Sequence, residues 1–74
     1  MKEEYEVILL SRSGDFLLKD SDQLERTENG VEAEKPYIMT EDEEAQRIQA
    51  DKIFIPYNTL ENIQYGGFEQ ETVE

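Results

Sequence analysis

The sequence predicts a mainly β protein, a small five-stranded antiparallel barrel, and three observations support this. Short runs of aliphatic, β-branched and aromatic residues lie near both ends of the chain, in "YEVILL" and "KIFIP", and they alternate with a period of two. Turn-forming Gly, Asn, Ser and Asp residues separate such runs. The chain has 74 residues, which is enough for one domain with a thin core.

An N-terminal hairpin is predicted first. Tyr5–Ser11 begins with alternating apolar residues, and Ile8 and Leu10 make the opposite face apolar as well. Two apolar faces are typical of a strand in the middle of a sheet, so both faces are expected to be covered. The turn "SRSGD" follows, and Phe16–Lys19 is the returning strand.

The middle of the chain is more polar. Asn29 and Gly30 form the strongest short hairpin signal, because a type I′ turn needs positive φ at both central residues. The flanking segments Leu24–Glu28 and Val31–Lys35 are polar, which predicts a hairpin that either faces solvent or is irregular. Tyr37–Thr40 is a further short strand.

Residues 40–50 favour a short helix near 41–50, with a charged, bent connection as the alternative. Thr40 and Glu43 have the spacing of a capping box, and acidic residues crowd the first turn, where the helix dipole favours them. Only Ala45 and Ile48 offer apolar contact within this segment.

A C-terminal hairpin completes the predicted barrel. Lys52–Pro56 is a strand, and it must end at Pro56 or run along a sheet edge, because proline has no N–H for the ladder. The segment "YNTLEN" is a tight turn, and Ile63–Tyr65 is the last strand, which the two following glycines end. The domain therefore spans 1–68, and residues 69–74 are expected to form a disordered acidic tail.

This C-terminal block resembles the last two strands of the Sm-like proteins, which are small SH3-like barrels. In that family a strand leads through a 3₁₀ turn into a short final strand, and "YEVILLSRSGDFLLKD" is similar to the opening strand pair. The matching C-terminal residues are Ile53, Phe54, Ile55, Pro56, Tyr57, Leu60, Ile63 and Tyr65. The resemblance implies a five-stranded barrel and allows assembly of several copies.

RNA binding does not follow from the resemblance. RNA-binding Sm-like proteins carry an Asp-x-Asn sequence in the second hairpin and a basic residue before a glycine near the last strand. Here Asp20 and Asp22 occur without the asparagine, and "IQYGGFE" has no basic residue. The same two aspartates lack the remaining ligands of a calcium loop, so no metal site is predicted.

The composition excludes several chemistries. The chain has no cysteine and no histidine, so thiol nucleophiles, imidazole acid–base catalysis and Cys/His zinc sites are all excluded. No phosphate-binding glycine loop is present, and no enzymatic activity or cofactor is expected. A chain with neither a signal sequence nor a membrane-spanning apolar run is expected to be cytoplasmic.

Charge indicates the kind of partner. Nineteen acidic residues oppose seven basic ones, giving a net charge of −12, and the basic residues are scattered singly. Such a surface repels nucleic acids and anionic lipids, so direct nucleic-acid or membrane binding is not expected. The expected partner is a protein with a basic surface, or a second copy of the chain.

Six residues are candidates for partner binding. Four are the acidic cluster Glu41, Asp42, Glu43 and Glu44, whose alternative interpretation is a solvated helix start. The other two are Tyr37 and Tyr57, because tyrosine is enriched at binding hot spots. The remaining tyrosines, Tyr5 and Tyr65, are predicted to be structural.

Three functions remain open at this stage. The favoured one is a non-enzymatic acidic protein-interaction module that binds a basic protein surface or assembles with itself. The first alternative is a phage-type inhibitor whose carboxylates mimic nucleic-acid phosphates and occupy the cleft of a DNA- or RNA-binding protein. The second is an oligomeric barrel that binds a small molecule between its subunits.

Overall fold

Eight β-strands and one 3₁₀ turn make up this computed structural model, which describes residues 1–73. The 3₁₀ turn spans Ser21–Gln23 and lies between the second and third strands. In chain order the strands are β1 (Lys2–Ser11), β2 (Gly14–Leu18), β3 (Leu24–Arg26), β4 (Gly30–Glu34), β5 (Tyr37–Met39), β6 (Ala45–Arg47), β7 (Lys52–Pro56) and β8 (Leu60–Val73).

Five of these strands close into a barrel in the order β1-β2-β5-β6-β8, which confirms the prediction of a small five-stranded β-barrel. The prediction of purely antiparallel pairing is wrong for one pair, because β6 and β8 are parallel, with Ala45 opposite Thr72. Strand directions cannot alternate around a closed ring with an odd number of members. A closed five-stranded barrel therefore needs at least one parallel pair.

The other three strands form a separate antiparallel sheet in the order β3-β4-β7, and this sheet shares a core with the barrel. Phe16 and Leu18 of β2 pack in that shared core. Its buried members are Val7, Leu9, Phe16, Leu18, Val31, Ala33 and Ile55. The intervening residue Leu17 points to a second cluster, which comprises Tyr5, Leu17, Tyr37 and Ala45. Ile8 packs against this second cluster, whereas Leu10 is half-buried and belongs to neither cluster, so the second face of β1 is covered only in part.

The last strand is much longer than predicted. Gly66 and Gly67 do not end it; they form a bulge, since the register shifts between Tyr5 opposite Phe68 and Val7 opposite Tyr65. Gly66 has a φ of +154°, a conformation that favours glycine. Glu69–Glu71 continue the ladder along β1, and Thr72 and Val73 pair with β6, so residues 69–73 are not a disordered tail. Glu74 lies outside the described residues.

No helix forms at 41–50, which corrects the sequence-based prediction. Residues 41–43 are a turn, and Ala45–Arg47 form β6, in which Ala45 is buried inside the second core cluster. With so few apolar side chains, a helix here would bury little, whereas the strand gains two ladders, to β5 and to β8. Across residues 1–73, no helix is long and apolar enough to cross a membrane.

The hairpin predicted at Asn29–Gly30 forms between β3 and β4, but its geometry differs from the expected type I′ turn. Neither residue has positive φ. Gly30 is needed for a different reason: a Cβ atom there would lie 2.7 Å from Phe54 Cζ and 2.9 Å from the Cα of Pro56, and would also clash with the carbonyl oxygen of Ile55. The flank after the turn is not fully solvent-facing either, because Val31 is buried.

Gly30→Ala is expected to destabilise the fold by about 2–3 kcal/mol, because two of the clashing atoms belong to the backbone of β7. For a domain of this size that corresponds to a fall in Tm of about 10 °C or more. Gly67→Ala is the matched control, since a Cβ atom there would meet nothing within 4 Å. Thermal unfolding measures both, and equal Tm values for the two variants would contradict the proposed role of Gly30.

Candidate functional site

The four acidic candidates lie together in the turn between β5 and β6, at one end of the barrel. The Glu43 N–H donates to the Thr40 carbonyl at 3.0 Å, and the Thr40 N–H donates to the Glu44 carbonyl at 2.9 Å. The Thr40 hydroxyl accepts from the Glu44 N–H at 3.3 Å. Thr40 therefore bonds locally, as its pattern predicted, but it stabilises a hairpin turn and not a helix. Glu41, Asp42 and Glu43 are exposed, and Glu44 is half-buried.

Glu43 has a φ of +61°, which an L-residue adopts at a cost of about 1–2 kcal/mol. Glu43→Gly is therefore expected to stabilise the protein by a net of about 0.5–1 kcal/mol, after the flexibility of glycine in the unfolded chain is subtracted. Tm should rise by about 3–6 °C. Glu41→Gly removes the same charge at a position without positive φ and should not stabilise, so a similar rise in both variants would contradict the strain argument.

Met1 and the residues near the end of β8 lie close to this acidic turn. The Met1 ammonium group is 2.6 Å from Glu71 Oε1, and the side-chain amide of Gln70 donates to the Glu43 carbonyl. The hydrogen bond to Glu71 raises the pKa of the Met1 ammonium, with smaller contributions from Glu3 and Glu44. The same hydrogen bond lowers the pKa of Glu71. The acidic turn thus shares its end of the barrel with an ion pair between the first and last strands.

Tyr37 is a core residue and not an exposed contact, which corrects its place among the partner-binding candidates. Its side chain is 6% exposed, and its ring meets Tyr5 edge-on, with centroids 5.4 Å apart. The Lys19 ammonium lies 5.0 Å from the centre of the Tyr37 ring and also pairs with Glu3. The hydrogen bond to Glu3 is the main reason that the pKa of Lys19 is raised. No face of Tyr37 remains for a partner.

Tyr5 is fully buried, and its hydroxyl shares a hydrogen bond of 2.7 Å with the Thr72 hydroxyl. Burial raises the pKa of Tyr5, although the Thr72 hydrogen bond opposes the shift. The folded protein therefore keeps this proton at alkaline pH values where the unfolded chain loses it. As a consequence, the free energy of unfolding contributed by Tyr5 falls as the pH rises above the unfolded pKa of about 10.

Tyr5→Phe is expected to cost about 1 kcal/mol at pH 7, because the buried hydrogen bond is lost. The variant should lose less stability than the wild type between about pH 9 and pH 11. Urea unfolding at several pH values measures this slope, with Tyr65→Phe as the control that removes an exposed hydroxyl. Parallel slopes for wild type and Tyr5→Phe would contradict the assignment.

Tyr57 is exposed, as a contact residue must be, and Tyr65 is exposed too. Tyr57 donates its hydroxyl to the Thr27 carbonyl at 2.7 Å, and the Tyr65 hydroxyl accepts from the Arg26 guanidinium at 3.3 Å. Because Arg26 and Thr27 are consecutive, both tyrosine hydroxyls lie near the end of β3. Tyr65 was expected to be structural, and its 56% exposure corrects that expectation. Alternation along β8 places it on the same side as the core residue Ile63, so no sequence signal marked it as exposed.

A third exposed aromatic ring lies on the side of the β3-β4-β7 sheet away from the core, here called the outer face. Glu25, Glu32 and Phe54 are opposite one another on three adjacent strands of this face. The two glutamates therefore carry like charges directly across a strand pair. The Phe54 ring covers Gly30 and is still 48% exposed. Other outer-face residues are Glu34, Lys52 and Pro56.

The β7 strand ends at Pro56 and is also an edge of its sheet, so both of the alternatives that Pro56 left open hold. The Tyr57 N–H donates to the Asn29 carbonyl at 3.3 Å, and the Lys35 N–H donates to the Asp51 carbonyl at 2.9 Å. Both bonds extend the β4–β7 ladder by one residue pair at each end, in the same register. Hydrogen-bonded pairs alternate along an antiparallel ladder. It follows that the backbone N–H and C=O groups of Lys52 and Phe54 point away from β4, toward solvent.

Comparisons with known proteins identify no relative. No known protein family, no curated protein and no solved structure matches this chain. Among residues 1–73, no group of three or more carboxylates is arranged to hold a metal ion, and no pocket is detected. The exposed features described above are the acidic turn, the outer face and the free edge of β7.

Proposed function

We propose that this protein is a non-enzymatic acidic interaction module that binds a basic surface of another protein. The observation that carries the proposal is the row of Glu25, Glu32 and Phe54 on the outer face. Two carboxylates beside an exposed aromatic ring suit a cationic side chain. The planar guanidinium group of arginine binds carboxylates with two parallel hydrogen bonds and also stacks on aromatic rings. A net charge of −12 also speeds association with a basic partner.

The argument from stability supports the same function. Like charges directly opposite on neighbouring strands destabilise a sheet, typically by a few tenths of a kcal/mol to about 1 kcal/mol. The fold would therefore gain from a lysine at either glutamate, and the glutamates instead suit an external cation. Glu4 and Glu69 form a second opposed pair, on β1 and β8, without an aromatic neighbour in the same row. That pair provides a control of equal charge.

We also propose that the fold belongs with the Sm-like, SH3-like small barrels. Support comes from the closed five-stranded barrel and from the pairing of its last strand with its first. The strand Lys52–Pro56 does not contribute, because it pairs with β4 in the other sheet and does not form the predicted hairpin with the last strand. The basic residue and the asparagine that RNA-binding members use are missing, so the proposed partner remains a protein.

Glu25→Lys is expected to raise the free energy of unfolding by about 0.5 kcal/mol, because repulsion across the strand pair becomes attraction. The same change should weaken binding to a basic protein partner. Glu69→Lys alters the net charge equally and should give similar stabilisation on the other sheet, with little loss of binding. Urea unfolding measures the stability of each variant.

Binding is tested by affinity purification from the cells that naturally express the protein, with wild type, Glu25→Lys and Glu69→Lys as equal-concentration baits. A basic-surfaced protein retained by wild type and Glu69→Lys, but lost with Glu25→Lys, is the expected result. Equal capture by all three baits, or no capture, would contradict the proposal. A captured nucleic-acid enzyme that duplex DNA displaces would instead support the nucleic-acid mimic.

A further inference from the structure

We propose that the free edge of β7 binds an extended segment of the partner protein as an added antiparallel strand. An arginine of that segment lies beside Phe54 and reaches Glu32. This inference rests on the proposed function and gives it a site and a partner chemistry.

The backbone of β7 supplies the first part of the site. The N–H and C=O groups of Lys52 and Phe54 point away from β4, and no strand of residues 1–73 pairs with them. A row of unpaired backbone groups is a template for another strand. The other edge of this sheet, β3, has only three residues, so β7 is the longer template.

The outer face determines which partner side chain is expected opposite Phe54. The residue of an added strand opposite Phe54 projects on the same face as Phe54, because side chains alternate in register across a sheet. The Phe54 ring rests on Gly30 on one side and is 48% exposed, which leaves room for a stacked cation. Glu32 lies opposite Phe54 on β4, about 4.8 Å beyond β7 as seen from the added strand. The long side chain of an arginine on the added strand can reach Glu32, whereas the backbone of that strand cannot.

The core side of the β3-β4-β7 sheet determines which residues are expected on either side of that arginine. Residues on either side of it project toward the core side of the sheet, next to Ile53 and Ile55 of β7. Ile55 is buried in the core, whereas Ile53 is only half-buried at the edge. Apolar side chains would complete its burial, so the expected segment reads apolar–Arg–apolar.

A second copy of the chain is a poorer occupant of this edge. Two copies with a net charge of −12 each repel one another, and neither has an arginine in β7. If two β7 strands paired antiparallel about Phe54, Lys52 would face Pro56, which has no N–H to donate. Charge complementarity therefore favours a basic segment of a different protein.

The test uses the acetylated, amidated peptide Arg-Thr-Val-Arg-Val-Thr-Arg and the full chain, with isothermal titration for affinity and NMR shifts for location. The central arginine exchanges both backbone hydrogen bonds with Phe54 in the proposed register, so N-methylation of that arginine should reduce affinity at least tenfold. N-methylation of the following valine, whose N–H points away from β7, should have a much smaller effect. Equal losses from the two methylations would overturn the proposal.

Substitutions in the protein test the same contacts between the peptide and the β7 edge. Lys52→Pro removes an outward N–H without breaking the β4 ladder and should weaken binding more than Lys52→Ala, which removes only the side chain. Glu32→Gln should weaken binding about tenfold, as expected for a lost charge-assisted hydrogen bond. Glu69→Gln, with the same charge change on the other sheet, should have a much smaller effect. Unfolding curves verify that each variant is folded.

The remaining outcomes separate this inference from the proposed function. Peptide-induced shifts confined to the acidic turn at 41–44 or to β8 would overturn the β7 site while leaving the interaction module in place. Failure of this peptide, together with capture of a basic protein that depends on Glu25, would do the same. A dimer in sedimentation experiments that Lys52→Pro dissociates would show a second copy on the edge and would overturn the choice of partner.

Discussion

The pairing of β1 with β8 is the constraint on which the rest of the structure depends. It joins the first and last strands along most of the length of β1, from Lys2 opposite Glu71 to Ser11 opposite Leu60. The Tyr5–Thr72 hydrogen bond and the Met1–Glu71 ion pair lie at the same seam. Without this ladder β6 would have no partner on its second side, and the barrel would be open.

The β1–β8 seam also explains the separation of the two cores. The bulge at Gly66–Gly67 shifts the register of β8 between Tyr5 and Val7. Tyr5 belongs to the cluster of Leu17, Tyr37 and Ala45, whereas Val7 belongs to the core under the three-stranded sheet. A short chain thus supports two small clusters instead of one larger core, with β1 and β2 contributing to both. The three-stranded sheet is held on one face only, which leaves its outer face and its β7 edge available for binding.

The distribution of charge also differs between the barrel and the three-stranded sheet. Cations near the barrel end are engaged: Lys19 with Glu3 and two aromatic rings, and the Met1 ammonium with Glu71. On the outer face the opposed Glu25 and Glu32 have no cation between them in the row. Burying an unpaired charge is costly, but a carboxylate at the surface remains solvated until a partner replaces the water. This arrangement suits binding that is fast and sensitive to salt.

The sequence by itself determined the β class, the first hairpin and the bounds of β7, because each depends on local alternation or on the missing N–H of Pro56. The position of β7 at an edge was one of two alternatives that Pro56 allowed, and the sheet order decided it. The sequence also excluded Cys- and His-dependent chemistry. The strand at 45–47 and the continuation of β8 to Val73 were not predictable, since their hydrogen-bond partners lie on strands distant in the sequence.

Tertiary structure also decided which tyrosines are exposed. Tyr5 and Tyr37 fill the barrel core, while Tyr57 and Tyr65 lie at its surface, although all four stand in similar short apolar runs. The like-charged row on the outer face depends on cross-strand register, which a one-residue slip would abolish. Only the folded sheet brings Glu25, Glu32 and Phe54 together, because local residue patterns do not encode which strands become neighbours.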